Sequence, residues 1–107
     1  MKKLLLLLGI GLFLTGCGPR PEVKEKNFIR SVSHPGAYEV HALIENNCRG
    51  EGEAKVKARL IDDKTHISYK EDKNLDLKSH EKSMAEILIH APESQYQLEV
   101  EVEYPPQ

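Results

Sequence analysis

Five histidines are the first residues whose chemistry could support a site. They are His34, His41, His66, His80 and His90. None stands in a helical His-x₃-His pair or beside a Cys-x₂-Cys frame, the spacings typical of zinc sites. His41 and His90 share the polar sides of their predicted strands with Glu39 and Glu86, so a surface metal site would assemble if those strands were neighbours. We expect solvated histidines, with no bound metal or cofactor.

Cys48 is the candidate nucleophile, in a turn-like stretch of residues 46–50. A catalytic cysteine needs a base and an orienting acid, and the sequence offers only a distant His41. No serine occupies a Gly-x-Ser-x-Gly elbow, and no glycine-rich loop precedes a helix to bind phosphate. The Asp62-Asp63 pair lies in a predicted turn, where aspartate is favoured for local hydrogen bonds. The sequence predicts no catalytic residues, and we expect a protein that is not an enzyme.

A row of glutamates is the most distinctive surface feature. Glu99, Glu101 and Glu103 alternate with apolar residues, so they project from one sheet face about 6.8 Å apart. One interpretation pairs them across strands with a basic row of the same spacing. That row is Lys55, Lys57 and Arg59. The alternative is a surface that attracts cations or a basic partner, and adjacency of the two strands would decide for ion pairing.

The elements that carry these residues have a period of two. Apolar and polar residues alternate over residues 38–45, 54–60 and 96–104, a pattern typical of half-buried antiparallel strands. Shorter strand candidates cover residues 28–32, 66–69, 75–77 and 84–90. With turn signals between these segments and no helical stripe, the sequence predicts an all-β fold, a single small antiparallel β-sandwich of about seven strands. Val100 and Val102 face its core.

Three short motifs carry a resemblance within residues 38–104. They are Ile44-Glu45-Asn46, the glycines Gly50 and Gly52, and Leu60-Ile61-Asp62. This part of the chain resembles small immunoglobulin-like or fibronectin-like modules of bacterial exported proteins, including the group named for its FxLYD motif. Ala58 stands where that motif has phenylalanine, and Ile61 where it has tyrosine. The resemblance implies the sandwich and a recognition or spacer role.

The first 17 residues carry a targeting signal. Two lysines precede an apolar run of 11 residues, 4–14, which ends in Leu14-Thr15-Gly16-Cys17, an arrangement typical of secretory signals. An apolar helix of that length rises about 16 Å, roughly half of a bilayer's hydrocarbon core, and cannot span it. The four closing residues resemble the lipobox of bacterial lipoproteins. The resemblance implies cleavage between Gly16 and Cys17, thioether-linked diacylglycerol on Cys17 and usually acylation of the new amino terminus.

Lipid on Cys17 would hold the protein at a membrane without crossing it. Residue 18 is Gly and not Asp, which by resemblance to enterobacterial lipoprotein sorting favours the outer membrane, facing the periplasm. In an organism without an outer membrane, the same precursor would end on the outer face of the plasma membrane. Cys48 would then have no partner within the chain. A buried inert thiol, a bound thiol adduct and an intermolecular disulfide remain open for it.

We therefore expect a signal peptide at residues 1–16, the lipidated cysteine and a flexible tether at 17–27, and the β-sandwich at 28–107. Residues 18–27 hold two prolines and five charges, too few apolar groups to order themselves. Removing 16 of 107 residues leaves 91, enough for one small domain. Without the two lysines of the signal, 13 basic and 17 acidic residues give a charge of about −4, which argues against a nucleic-acid partner.

The function expected from these features is that of a small lipid-anchored cell-envelope lipoprotein with a non-catalytic binding or structural domain. Its partners would be the membrane and an envelope protein or cell-wall ligand. An alternative is an accessory or inhibitor subunit that docks a larger envelope complex or an exported enzyme. A weaker alternative is a metal-handling lipoprotein.

Overall fold

The computed structural model describes residues 18–106. The expected signal peptide, the expected lipidation site Cys17 and the expected cleavage between Gly16 and Cys17 lie outside the described residues, as does Gln107. The described part contains six strands: β1 (Pro21–Arg30), β2 (Ala37–Asn46), β3 (Gly52–Asp62), β4 (Ser68–Leu77), β5 (Lys82–His90) and β6 (Tyr96–Glu103). They form two three-stranded antiparallel sheets, in the orders β1-β2-β5 and β4-β3-β6.

The predicted all-β sandwich is confirmed, with six described strands where about seven were expected. The short candidates at residues 66–69 and 75–77 contribute to one strand, β4. Its middle, residues 70–74, is polar and exposed because β4 is an edge strand whose order comes from backbone hydrogen bonds to β3. Alternation of apolar residues therefore could not reveal it.

The expected tether at residues 17–27 is wrong in its boundary. Residues 21–27 belong to β1, which pairs with β2 from Pro21 opposite Asn46 to Arg30 opposite Tyr38. Backbone hydrogen bonds along β2 order this edge strand although most of its side chains are exposed. Val23 and Phe28 alone pack against the core. The folded domain begins at Pro21, and residues 18–20 are the described part that precedes it.

The central strands β2 and β3 supply the middle of the core. Their inward side chains are buried: Tyr38, Val40, Ala42 and Ile44 on β2, and Ala54, Val56, Ala58 and Leu60 on β3. Each large aliphatic side chain buried in this way contributes roughly 1.5–3 kcal/mol. Four alanines, Ala42, Ala54, Ala58 and Ala85, are almost fully buried. In contrast, Val100 and Val102 on β6 are only partly buried, so the predicted inward side is confirmed but the centre of the core lies elsewhere.

Strand order gives the sandwich an immunoglobulin-like arrangement. β1, β2 and β5 correspond to strands A, B and E of such domains, and β4, β3 and β6 to strands C′, C and F. Tyr96, at the start of β6, donates a hydrogen bond from its hydroxyl to the carbonyl of Pro92, four residues upstream. This is the tyrosine corner found where strand F begins. Burial raises the pKa of Tyr96, and the nearby Tyr69 and Asp62 add to the shift.

Candidate functional site

The outer face of the β4-β3-β6 sheet carries the two charged rows. β3 and β6 are neighbours, with Arg59 opposite Glu99 and Lys57 opposite Glu101. Arg59 forms an ion pair with Glu99, and Lys57 forms one diagonally with Glu103. The predicted cross-strand pairing is confirmed. The glutamate row is consequently a neutralised sheet face over most of its length, and a site for free cations is not what the geometry favours.

Lys57 interacts with several acidic side chains of this face. Its hydrogen bond to Glu103 raises the pKa of Lys57 above its ordinary value of 10.5, and the charges of Glu103, Glu101 and Asp72 add to the shift while desolvation opposes it. Among the described residues, Glu101 has no side chain within ion-pairing distance. Exposed pairs of this kind contribute little to stability. Glu101, in the middle of β6, is thus one of the carboxylates of this face without a salt bridge.

A shallow concavity of about 660 Å³ is lined by residues of β3, β4 and β6 and by Lys26 of β1. Side chains of both charges line it, among them Lys57, Arg59, Lys70, Asp72 and Glu101. Small-molecule sites are mostly apolar with a few placed polar groups. The lining of this concavity is instead mostly charged and polar, which suits a solvated surface or contact with a charged macromolecule.

The histidines do not converge. β2 and β5 are neighbours, as the surface-metal hypothesis required, but His41 lies opposite Glu86 whereas His90 lies opposite Ala37. Four residues of strand therefore separate the two histidines, about 13 Å. His41 Nε2 lies 3.6 Å from Glu39 Oε1, and its Nδ1 lies 3.8 Å from Glu86 Oε1. Across residues 18–106, no group of three or more metal-binding side chains has an arrangement suited to a metal ion.

Two other histidines have a backbone role in loops. His66, between β3 and β4, has φ of 62°, and His80, between β4 and β5, has φ of 53°. Histidine is among the side chains that enter this left-handed region more readily than most. The amide of His80 donates to the carbonyl of Cys48 at 3.1 Å, so this histidine helps to join two loops.

Cys48 is buried, with 5% of its surface exposed, and the expected burial is confirmed. The hypothetical nucleophile pair with His41 is not supported, because Cys48 lies beyond the end of β2 and His41 in the middle of that strand. The sulfur is not a free thiol, because Cys48 is disulfide-bonded in the structure. The structure therefore differs from the buried inert thiol, which was one of the alternatives left open for Cys48.

Asn46 organises the same end of the sandwich, and the sequence indicated it only as a turn residue. Its side chain is buried, with 1% exposed. Nδ2 donates to the carbonyls of Gly50 at 2.7 Å and Lys78 at 2.9 Å. Oδ1 accepts from the amides of Arg20 at 3.0 Å and Cys48 at 3.2 Å. One side-chain amide thereby joins the segment that leads into β1, the β2–β3 loop and the β4–β5 loop. This role becomes visible only in the folded structure, where these segments meet.

Asp62 organises the opposite end. Its Oδ1 accepts from the backbone amides of Lys64 at 2.8 Å and Thr65 at 3.2 Å. These bonds lower the pKa of the Asp62 carboxyl below its ordinary value of 3.8. The predicted local bonding of an aspartate in this turn is confirmed for Asp62. Both residues that the resemblance singled out at strand ends, Asn46 and Asp62, therefore close loops.

Comparison of the chain with protein-family models, curated proteins and solved structures finds no match. In the span from Gly18 to Pro106, the structure has no helix with the length and apolar character needed to cross a membrane.

Proposed function

We propose that this protein is a small lipid-anchored cell-envelope lipoprotein whose β-sandwich has a non-catalytic binding or structural role. The observation that carries the proposal is Leu14-Thr15-Gly16-Cys17 after a charged and apolar leader. A folded all-β domain that begins at Pro21 supports it, because such a precursor delivers a compact domain directly behind its anchor. The outer membrane, facing the periplasm, is the favoured location.

The short spacing between anchor and domain sets the orientation. Cys17 and Pro21 are four residues apart, a span of at most about 14 Å. Pro21 lies opposite Asn46, so the end of the sandwich closed by Asn46 would face the lipid. The loops at residues 31–36, 63–67 and 91–95 join the strands at the opposite end and would point away from the membrane.

Binding is the role that the exposed surface of the sandwich supports best. The charged face of the β4-β3-β6 sheet is suited to a macromolecular partner. An accessory subunit that docks a larger envelope complex or an exported enzyme is the second candidate. The free edge of β6, described below, is the specific observation that favours it.

The sulfur of Cys17 can form a thioether to lipid or a disulfide, but not both. The sequence has two cysteines, Cys17 and Cys48, and a thioether on Cys17 excludes any disulfide through the same atom. In the lipidated protein, Cys48 would carry a thiol or pair with another molecule. The experiment must therefore distinguish the two cysteines.

Each cysteine is replaced by serine, and cells that express full-length protein are labelled with a fatty-acid analogue and fractionated. Cys17→Ser should lose the label and membrane retention, because the acceptor thiol is gone. Cys48→Ser is the matched control and should keep both. Retention of the label or of membrane association by Cys17→Ser would contradict the proposal.

A further inference from the structure

Two of the four sheet edges, β1 and β4, have features that block an added strand, and a third, β5, is partly covered by a side chain of β4. β1 starts with Pro21 and has a bulge between Val23 and Glu25. Lys26 lies opposite the buried Ala42, so it stands on the inward side of that edge. Inward charges, prolines and bulges are the devices by which sheets avoid edge-to-edge pairing.

The β4 edge is protected in the same way. Glu71 lies opposite Ala58 and Lys73 opposite Val56, which places both charges on the inward side of the strand. Lys73 Nζ also donates to the carbonyl of Glu86 on β5 at 3.2 Å. That bond occupies a backbone acceptor and covers part of the β5 edge.

β6 has none of these features. Tyr96–Glu103 contains no proline, no bulge and no inward charge. Its inward residues are Leu98, Val100 and Val102, which are only partly buried. In the described part of the chain β6 is hydrogen-bonded to β3 alone, and β1 packs near it from the other sheet without pairing. In immunoglobulin-like sandwiches, strand G lies at this position, beside strand F.

We propose that the free edge of β6 binds an extended strand of a partner protein, in which apolar side chains alternate with basic ones. The inference rests on the proposed binding role and names its surface. The apolar side chains would cover Leu98, Val100 and Val102, while the basic ones would lie on the face of Glu101. Strand addition to an exposed edge uses main-chain hydrogen bonds for affinity and alternate side chains for specificity.

The charge of the β6 glutamates favours a basic partner strand over a second copy of the chain. Glu99 and Glu103 are neutralised by β3, whereas Glu101 has no ion pair among the described residues. Two copies joined through β6 would align glutamates with glutamates, and like charges on facing strands are destabilising. A basic strand instead places a cation beside Glu101.

The test uses short peptides added to the full-length protein, with amide hydrogen exchange of β6 as the readout. A peptide of alternating valine and lysine should slow exchange of the edge-facing amides at least tenfold. A peptide of alternating valine and glutamate, and a valine–lysine peptide with a central proline, should not. Absence of protection by the valine–lysine peptide, or equal protection by the valine–glutamate peptide, would overturn the proposal.

Glu101→Lys supplies a charge-reversed variant, since Glu101 is exposed and in no salt bridge. The new lysine would lie opposite Lys57, and like charges on facing strands are destabilising, so urea melts first establish that the variant is folded. It should reverse the preference, so that the valine–glutamate peptide protects β6 better. An unchanged preference would contradict the assigned role of Glu101. The peptide experiment can use protein recovered from either the membrane or the soluble fraction. Its result is therefore independent of whether Cys17 carries lipid.

Discussion

At the residue scale, two side chains close the ends of the sandwich. Asn46 makes four hydrogen bonds to backbone groups of three segments. Asp62 holds the β3–β4 loop through two backbone amides. A buried polar group is stabilising only when it is fully satisfied. No buried side-chain nitrogen or oxygen in the described residues lacks a partner.

Asn46→Ala should lower the free energy of unfolding by about 2–4 kcal/mol, because it leaves two carbonyls and two amides without their partner. Asn47→Ala is the matched control. Its side chain is exposed and makes one bond, to Glu22 Oε2 at 2.7 Å, so its loss should cost less than about 0.5 kcal/mol. Urea unfolding of both variants measures the difference. Equal destabilisation would mean that the network does not hold this end together.

The lowered pKa of Asp62 predicts that part of the free energy of unfolding depends on pH in the acid range. Its pKa in the folded protein lies below the ordinary 3.8 because two backbone amides donate to it. A depressed pKa contributes stability that is present above the unfolded value and is lost as the pH falls through the folded one. Asp62→Asn, which keeps an acceptor oxygen but cannot ionise, should therefore be less stable than wild type at about pH 6. The two should converge toward about pH 2.5. A constant difference across urea melts in this range would contradict the prediction.

At the element scale, central strands could be predicted from the sequence and edge strands could not. β2, β3, β5 and β6 each bury one side, so their apolar residues alternate. The middle of β1 and the middle of β4 are exposed on both sides, and only backbone pairing orders them. The ion pairs of β3 with β6 could be predicted once adjacency was assumed. The bonds of Asn46 and the corner of Tyr96 depend on how distant loops meet, which no local pattern encodes.

Burial predicts an order of damage along one layer of the β4-β3-β6 sheet. Val56→Asp places a charge in the fully buried centre and should cost about 3–5 kcal/mol. Val100→Asp lies on the partly buried edge strand and should cost about 1–3 kcal/mol. Glu101→Gln is outward and should change stability by less than about 0.5 kcal/mol. Thermal and urea melts give the ranking, and Glu101→Gln as the most damaging change would mean that the two sides of β6 are reversed.

At the scale of the whole molecule, almost no spacer separates the proposed anchor from the sandwich. The structured chain begins at Pro21, so the domain would stay within about 14 Å of the lipid on Cys17. A partner strand would then have to reach β6 at the membrane surface. The lipid anchor is the central claim, since the location and the orientation both follow from it.

The most direct measurement of that claim is the intact mass of the protein extracted from membranes, with fragmentation to find the modified residue. The account predicts a chain of 91 residues that begins at Cys17, carries diacylglycerol on that sulfur and leaves Cys48 outside any bond to it. A chain that retains residues 1–16, or one without lipid in which Cys17 and Cys48 are joined by a disulfide, would contradict it.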